Sequence, residues 1–255
     1  MTLVDGPGRS DSVPPPSAKA LRRPGRGRVL SVSDQVTEII RDMIWMGELP
    51  AGEQITHEQI AETLDVSTMP VRETLLRLTH EGLIENGTKA RSYRVSANTP
   101  NDVRDIYWLH SELVGELTAR AALRLDDEQL SALDRAHQQW LAAAKAADVD
   151  ALEWANDSFH RVINLGANAP KLVRFLLNTL RLIPHQYYRI VPQQVVDSTE
   201  AHTKILKAIV AHDAQAARTA AQQHVLDSGN ELVRIFEDNG YWVRPSASAP
   251  SAVPH

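Results

Sequence analysis

Four residues carry the most evident chemistry of this chain: Asn156, His160, His202 and His224. Asn156 and His160 stand four apart in Ala151-Leu-Glu-Trp-Ala-Asn156-Asp-Ser-Phe-His160-Arg-Val-Ile163. A helix there sets both on one face, with Leu152, Phe159 and Ile163 on the adjoining apolar flank. His202 and His224 lie eleven residues before and eleven after Asp213, which reads as the N-cap of a new helix. Two antiparallel helices joined there bring both imidazoles to a similar depth. Neutral imidazoles and one side-chain oxygen suit a divalent ion, zinc first, with nickel, manganese, iron or cobalt as alternatives, and leave coordination positions open. Asp157 rivals Asn156 as the oxygen donor. On spacing alone, ordinary helix histidines are an equally good reading of the set. His57, His80, His137, His212 and His255 are read that way outright.

The frame that must position these groups is helical. Aromatic residues make up 5% of 255 residues, alanine is abundant and β-branched runs are scarce. With no cysteine, thiolate ligands, disulfides and cysteine nucleophiles are excluded. No segment has the apolar length of a signal peptide or membrane span, so the expectation is a cytoplasmic protein. Net charge is −5 with pI near 6.1, which gives no global hint of nucleic-acid binding. Residues 1–29 are rich in Pro, Gly, Ser and Arg and read as a disordered basic tail. Residues 241–255 read as a second tail.

Residues 30–97 follow a different grammar. A first helix is expected from Ser33 to Met46 on the stripe Val36, Ile39, Ile40, Met43 and Ile44. Thr56-His-Glu-Gln59 has capping-box spacing and opens a second helix. A third starts after Ser67, tolerates Pro70 in its first turn, buries Val71, Leu75 and Leu78, and stops at Gly82. Leu83-Ile84 and Ser92-Tyr-Arg-Val95, around a turn at Glu85-Asn-Gly87, read as a two-stranded hairpin. Three helices and a hairpin describe a winged helix-turn-helix. This module holds eleven acids and six bases, but the bases concentrate after residue 71. Thr68, Arg72, Arg77, Lys89 and Arg91 are the candidate DNA contacts. Residues 98–240 are expected to form an all-helical bundle, which makes the fold class mainly α.

The segment Pro50-Ala-Gly-Glu-Gln-Ile, followed by Ile60-Ala-Glu-Thr-Leu-Asp-Val-Ser-Thr-Met-Pro-Val-Arg-Glu-Thr-Leu-Leu-Arg-Leu-Thr-His-Glu-Gly-Leu-Ile84, resembles the DNA-binding domain of GntR-family transcriptional regulators. Residues 101–240 are similar to the helical ligand domain of the FadR subgroup, whose metal ligands match Asn156, His160, His202 and His224. The resemblance implies a homodimer on a palindromic operator in double-stranded DNA and a small-molecule effector. Relatives commonly carry arginine where Thr68 stands, and arginine near His110, where it helps hold a carboxylate effector; both are absent here.

The resulting expectation is an effector-responsive regulator, a repressor released by a small carboxylate bound near a metal ion. The alternatives are a metal sensor without organic effector and, last, a metal-dependent enzyme. Effector contacts are expected from His110, Arg181, His185 and Tyr188, with His110 acting as a cation below about pH 6.5. Trp108, Leu109, Leu113 and Leu117, or the helix from Leu172 to Ile183, are candidates for the dimer face, with bundle core as the alternative for each.

Overall fold

The computed structural model describes residues 31–89, 91–183 and 194–242. The chain divides after Ser96 into two compact units. The two expected tails fall largely outside the described residues. Tyr241 and Trp242 are an exception to the expected C-terminal tail: both rings pack on Phe236, at centroid distances of 4.5 and 5.5 Å.

The first unit runs α1 (Val32–Trp45), β1 (Gln54–Thr56), α2 (His57–Leu64), α3 (Thr68–His80), β2 (Ile84–Asn86) and β3 (Ser92–Val95). The Ser31 hydroxyl accepts from the Asp34 amide and starts α1. Val36, Ile40, Ile44 and Trp45 of α1 are buried, as are Val71, Leu75 and Leu78 of α3, and the two helices pack on each other. Two polar contacts fix their register: the Thr37 and Thr74 hydroxyls meet at 3.0 Å, and Arg41 pairs with Glu81 at 2.6 Å. The capping box at Thr56 forms as its spacing predicts, with Gln59 bonding back to the Thr56 amide. Gly82, at φ +77°, takes the left-handed turn that ends α3, a conformation that disfavours any side chain.

The hairpin differs from expectation in two respects. β2 continues to Asn86, so the strand does not end at the turn expected at 85–87. A third strand, β1, pairs antiparallel with β3, placing Ile55 opposite Tyr93. The sheet order is β1-β3-β2. Three residues offer too short an alternation to signal a strand; the pairing with β3, not the local pattern, makes β1. Gly87 lies so close to Ser92 that a Cβ there would sit 2.9 Å from the Ser92 carbonyl carbon.

The second unit is all helix among the described residues: α4 (Pro100–Ala122), α5 (Asp127–Ala146), α6 (Val149–Gly166), α7 (Pro170–Leu180), α8 (Gln194–Val210) and α9 (Ala214–Asp238). Thr99, Asp126, Asp148 and Asp213 cap α4, α5, α6 and α9 with side-chain oxygens. The most extensive packing is α4 on α9. It is made possible by Gly229, whose missing side chain leaves room for the Tyr107 ring. α5 and α6 pair around Trp140, Ala143, Leu152 and Ala155, and Trp140 donates its indole N–H to Thr199 of α8 at 2.9 Å. Leu117 belongs to the core, whereas Trp108, Leu109, Phe175, Leu177 and Leu180 are exposed. No helix among the described residues is long and apolar enough to cross a membrane.

Candidate metal centre and nucleic-acid interface

In the second unit, α6, α8 and α9 each contribute one imidazole to a common point. One ring nitrogen from each of His160, His202 and His224 lies within 4.8 Å of the others. Nitrogens sharing one zinc ion at about 2.1 Å are separated by at most roughly 4.2 Å, so closure of the triad requires only small side-chain shifts. Aromatic packing holds the rings. His202 stacks on Phe159 at 4.5 Å and meets the edge of Trp140 at 4.9 Å. His160 and His224 are near-parallel, their planes 7° apart and centroids 6.0 Å apart.

The donor chemistry fits a divalent ion. His202 is completely buried, and neither of its ring nitrogens has a hydrogen-bond partner. Two unsatisfied nitrogens in an apolar setting are costly unless something coordinates one of them. Burial keeps all three rings neutral, which is the ligating form. It pulls His160 down to about 3 and His224 to about 4, and holds His202 well below the usual imidazole range. Asn156 sits one turn before His160 and is half-buried, whereas Asp157 is exposed. Of the two, Asn156 is the one on the less exposed side of α6.

His110 departs from its expected role. It is buried on α4, and its Nδ1 lies 2.7 Å from the Thr179 hydroxyl. That hydroxyl donates its one proton to the Leu176 carbonyl at 2.8 Å, so His110 must donate from Nδ1. Burial lowers its pKa to about 3, with His160 adding to the effect. His110 is thus a neutral buried residue and not the cation expected from its place in the sequence. Arg181 caps α7 and is exposed. His185 and Tyr188 lie outside the described residues. His137, read as ordinary, is buried, bonds Thr203 through Nε2 at 3.2 Å, and is close enough to His202 to help depress it. No sequence spacing marks it, because its neighbours come from other helices.

These depressed values make the metal-free second unit acid-sensitive. In the unfolded chain each histidine takes up a proton near pH 6.5, whereas in the folded chain His110, His160 and His224 do so only near 3 to 4. Between these limits the unfolded state binds more protons, so stability falls as pH falls. Chelator-treated protein is expected to lose melting temperature steadily from pH 7 to pH 4.5. A flat profile would contradict the burial of these rings.

The first unit carries the cationic surface. His57, Glu58, Thr68, Met69, Arg72, Leu76, Arg91 and Tyr93 line one concavity. It unites Thr68 and Arg72 from α3 with Arg91 from the wing. Arg77 is used differently: it pairs with Asp34 of α1 at 2.8 Å. Arg41 and Arg94 are likewise paired, with Glu81 and Glu85. Of the six bases, Arg72, Lys89 and Arg91 have no ion pair among the described residues, and all three are exposed. Met69 and Leu76, 64% and 48% exposed, are members of this surface that sequence reasoning passed over. Their apolar type on a face off the core stripe was the available signal.

A three-helix unit with a β-wing, with Arg72 on its third helix and Lys89 and Arg91 on the wing free of ion pairs among the described residues, joined in one chain to a helical bundle, defines a DNA-binding regulator with a separate ligand domain. The comparisons agree. Residues 32–93 match the model for bacterial regulatory proteins of the gntR family, and residues 105–227 match the FCD domain. The chain belongs to the GntR family and carries an FCD domain. It is 23% identical over 216 residues to the HTH-type transcriptional repressor RspR of Escherichia coli K12, covering 83% of this chain and 93% of that one. It is 26% identical over 197 residues to a probable D-xylose utilization operon transcriptional repressor of Paenarthrobacter nicotinovorans, covering 76% and 86%. The solved structure of E. coli McbR/YncC shares the fold at TM-score 0.61 and 21% identity, covering 83% of this chain and all of that one. These relatives are transcription regulators, not enzymes.

Proposed function

We propose that this protein is a cytoplasmic, homodimeric repressor whose grip on a palindromic operator is released when a small carboxylate binds beside a divalent metal ion, zinc first among the candidates. The observation that carries this reading is the triad of neutral imidazoles, one of them buried with both nitrogens unsatisfied. His160, His202 and His224, with Asn156, would hold the ion. When bound, it supplies coordination positions that an anionic oxygen can occupy. The chain's own residues do the rest. Phe159 and Trp140 fix the plane of His202, and Thr179 fixes His110. His160 keeps some accessible surface although protein packs around it.

The dimer follows from the operator geometry. One helix-turn-helix unit reads one half-site, and two-fold dimers read half-sites centred about 34 Å apart. The exposed Trp108, Leu109, Phe175, Leu177 and Leu180 of α4 and α7 are apolar side chains available for that contact. The repressor assignment is supported by the similarity to the transcriptional repressor RspR. Release requires the effector to favour one arrangement of the dimer over another, since only differential affinity shifts the equilibrium.

Fluorescence anisotropy on an operator selected from random duplexes tests the proposal. Small carboxylates are expected to release the zinc-loaded protein and to have no effect on chelator-treated protein. Release that is indifferent to the metal would place the effector elsewhere.

A further inference from the structure

The concavity on the first unit contains a feature that charge alone does not account for. Met69 stands in the first turn of α3, beside Thr68 and three residues before Arg72, so Met69 and Arg72 share a face. Leu76 continues that face one turn beyond Arg72 and lines the same surface. Large apolar side chains 64% and 48% exposed bracket an arginine without an ion pair. First-turn residues of a recognition helix are those that reach base edges in the major groove. There, the only apolar group that any of the four bases presents is the 5-methyl of thymine. Methionine is unbranched and polarizable and can follow such a group without a fixed shape.

We propose that Met69 reads a thymine methyl next to the base pair engaged by Arg72, so that each operator half-site carries a T·A pair adjacent to a G·C pair. The proposal rests on the reading that α3 enters the major groove with Arg72 on guanine. It assigns to an apolar contact part of the discrimination that a polar or charged first-turn residue would otherwise supply. With only Arg72, Lys89 and Arg91 unpaired among the cations of the described first unit, the sequence preference leans on that contact. Continuity with Arg72 and Arg91 in one surface argues for DNA as its occupant.

The test uses full-length protein and the selected operator. Uracil replaces thymine at the position beside the Arg72 guanine, deleting one methyl group and nothing else. Wild-type affinity is expected to fall about fourfold, the value of one buried methyl. Met69→Leu is expected to keep the penalty, and Met69→Ala to bind thymine and uracil duplexes alike. Met69 is exposed, so neither change threatens the fold. An equal uracil penalty in wild type and Met69→Ala overturns the proposal, as does a selected half-site with no thymine beside that guanine. A parallel duplex with 7-deazaguanine removes N7, one of the two major-groove acceptors that guanine offers to Arg72. Indifference to that change marks failure of the Arg72 reading, which is thereby separated from failure of the Met69 assignment.

Discussion

The His202→Ala, His224→Ala double variant is expected to purify with essentially no divalent metal, where wild type carries about one ion per chain. Two of the three converging nitrogens vanish, and His160 with Asn156 cannot close a shell. Because a ligand bound only by the folded state raises its melting temperature by mass action, added zinc should stabilise wild type and leave the double variant unmoved. At 100 times the dissociation constant the difference is about 2.7 kcal/mol. Circular dichroism establishes that the variant is folded, since His202 is wholly interior and its loss leaves a cavity. Elemental analysis finding full occupancy in the folded double variant would remove the site.

A second large effect is expected from Gly229→Val. A Cβ at 229 would lie 2.5 Å from Cγ and 2.6 Å from Cβ of Tyr107. Those atoms are at the root of a buried aromatic side chain, so relief requires α4 and α9 to separate. Overpacking of this kind costs about 3 kcal/mol or more, which in a protein of this size lowers the melting temperature by roughly 6–12 °C. Gly115→Ala is the informative contrast. Its Cβ would also lie 2.5 Å from a neighbour, but that neighbour is Cγ of Gln222, a flexible chain that can swing aside. There the gain in helix propensity, about 1 kcal/mol, offsets much of the crowding. Equal thermal shifts for the two variants would show that α4 and α9 are not held at the described distance.

Much of the architecture was legible in the sequence because its signals are local. The Thr56–Gln59 capping box, the Asp213 cap and the i, i+4 pair of Asn156 and His160 each lie within one turn of chain. Legibility ended where the partner is remote. Arg77 reads as a surface cation until Asp34, 43 residues away, is found beside it. His110 reads as a titrating cation until Thr179, 69 residues away, fixes its proton on Nδ1 in a buried setting. β1 exists through pairing with β3, which no three-residue pattern announces. The convergence of His160 with His202 and His224 was anticipated in part by the symmetric spacing about Asp213. The depth at which Phe159 and Trp140 seal it was not, since burial is decided by helices that the ligands do not belong to.

The sorting of charges in the first unit also bears on how quickly a DNA site is found. Of the six bases in residues 30–97, three are neutralised internally, and the three that are not lie on the third helix and the wing, while eight of the eleven acids precede the third helix. The charge of residues 30–97 is therefore uneven: a net negative sum, with Arg72 and Arg91 together on one surface. In the field of a polyanion such a charge distribution experiences a torque that turns the cationic surface forward, so approaches with the acidic side leading are disfavoured. A larger share of encounters is then expected to begin with the recognition surface already facing the DNA.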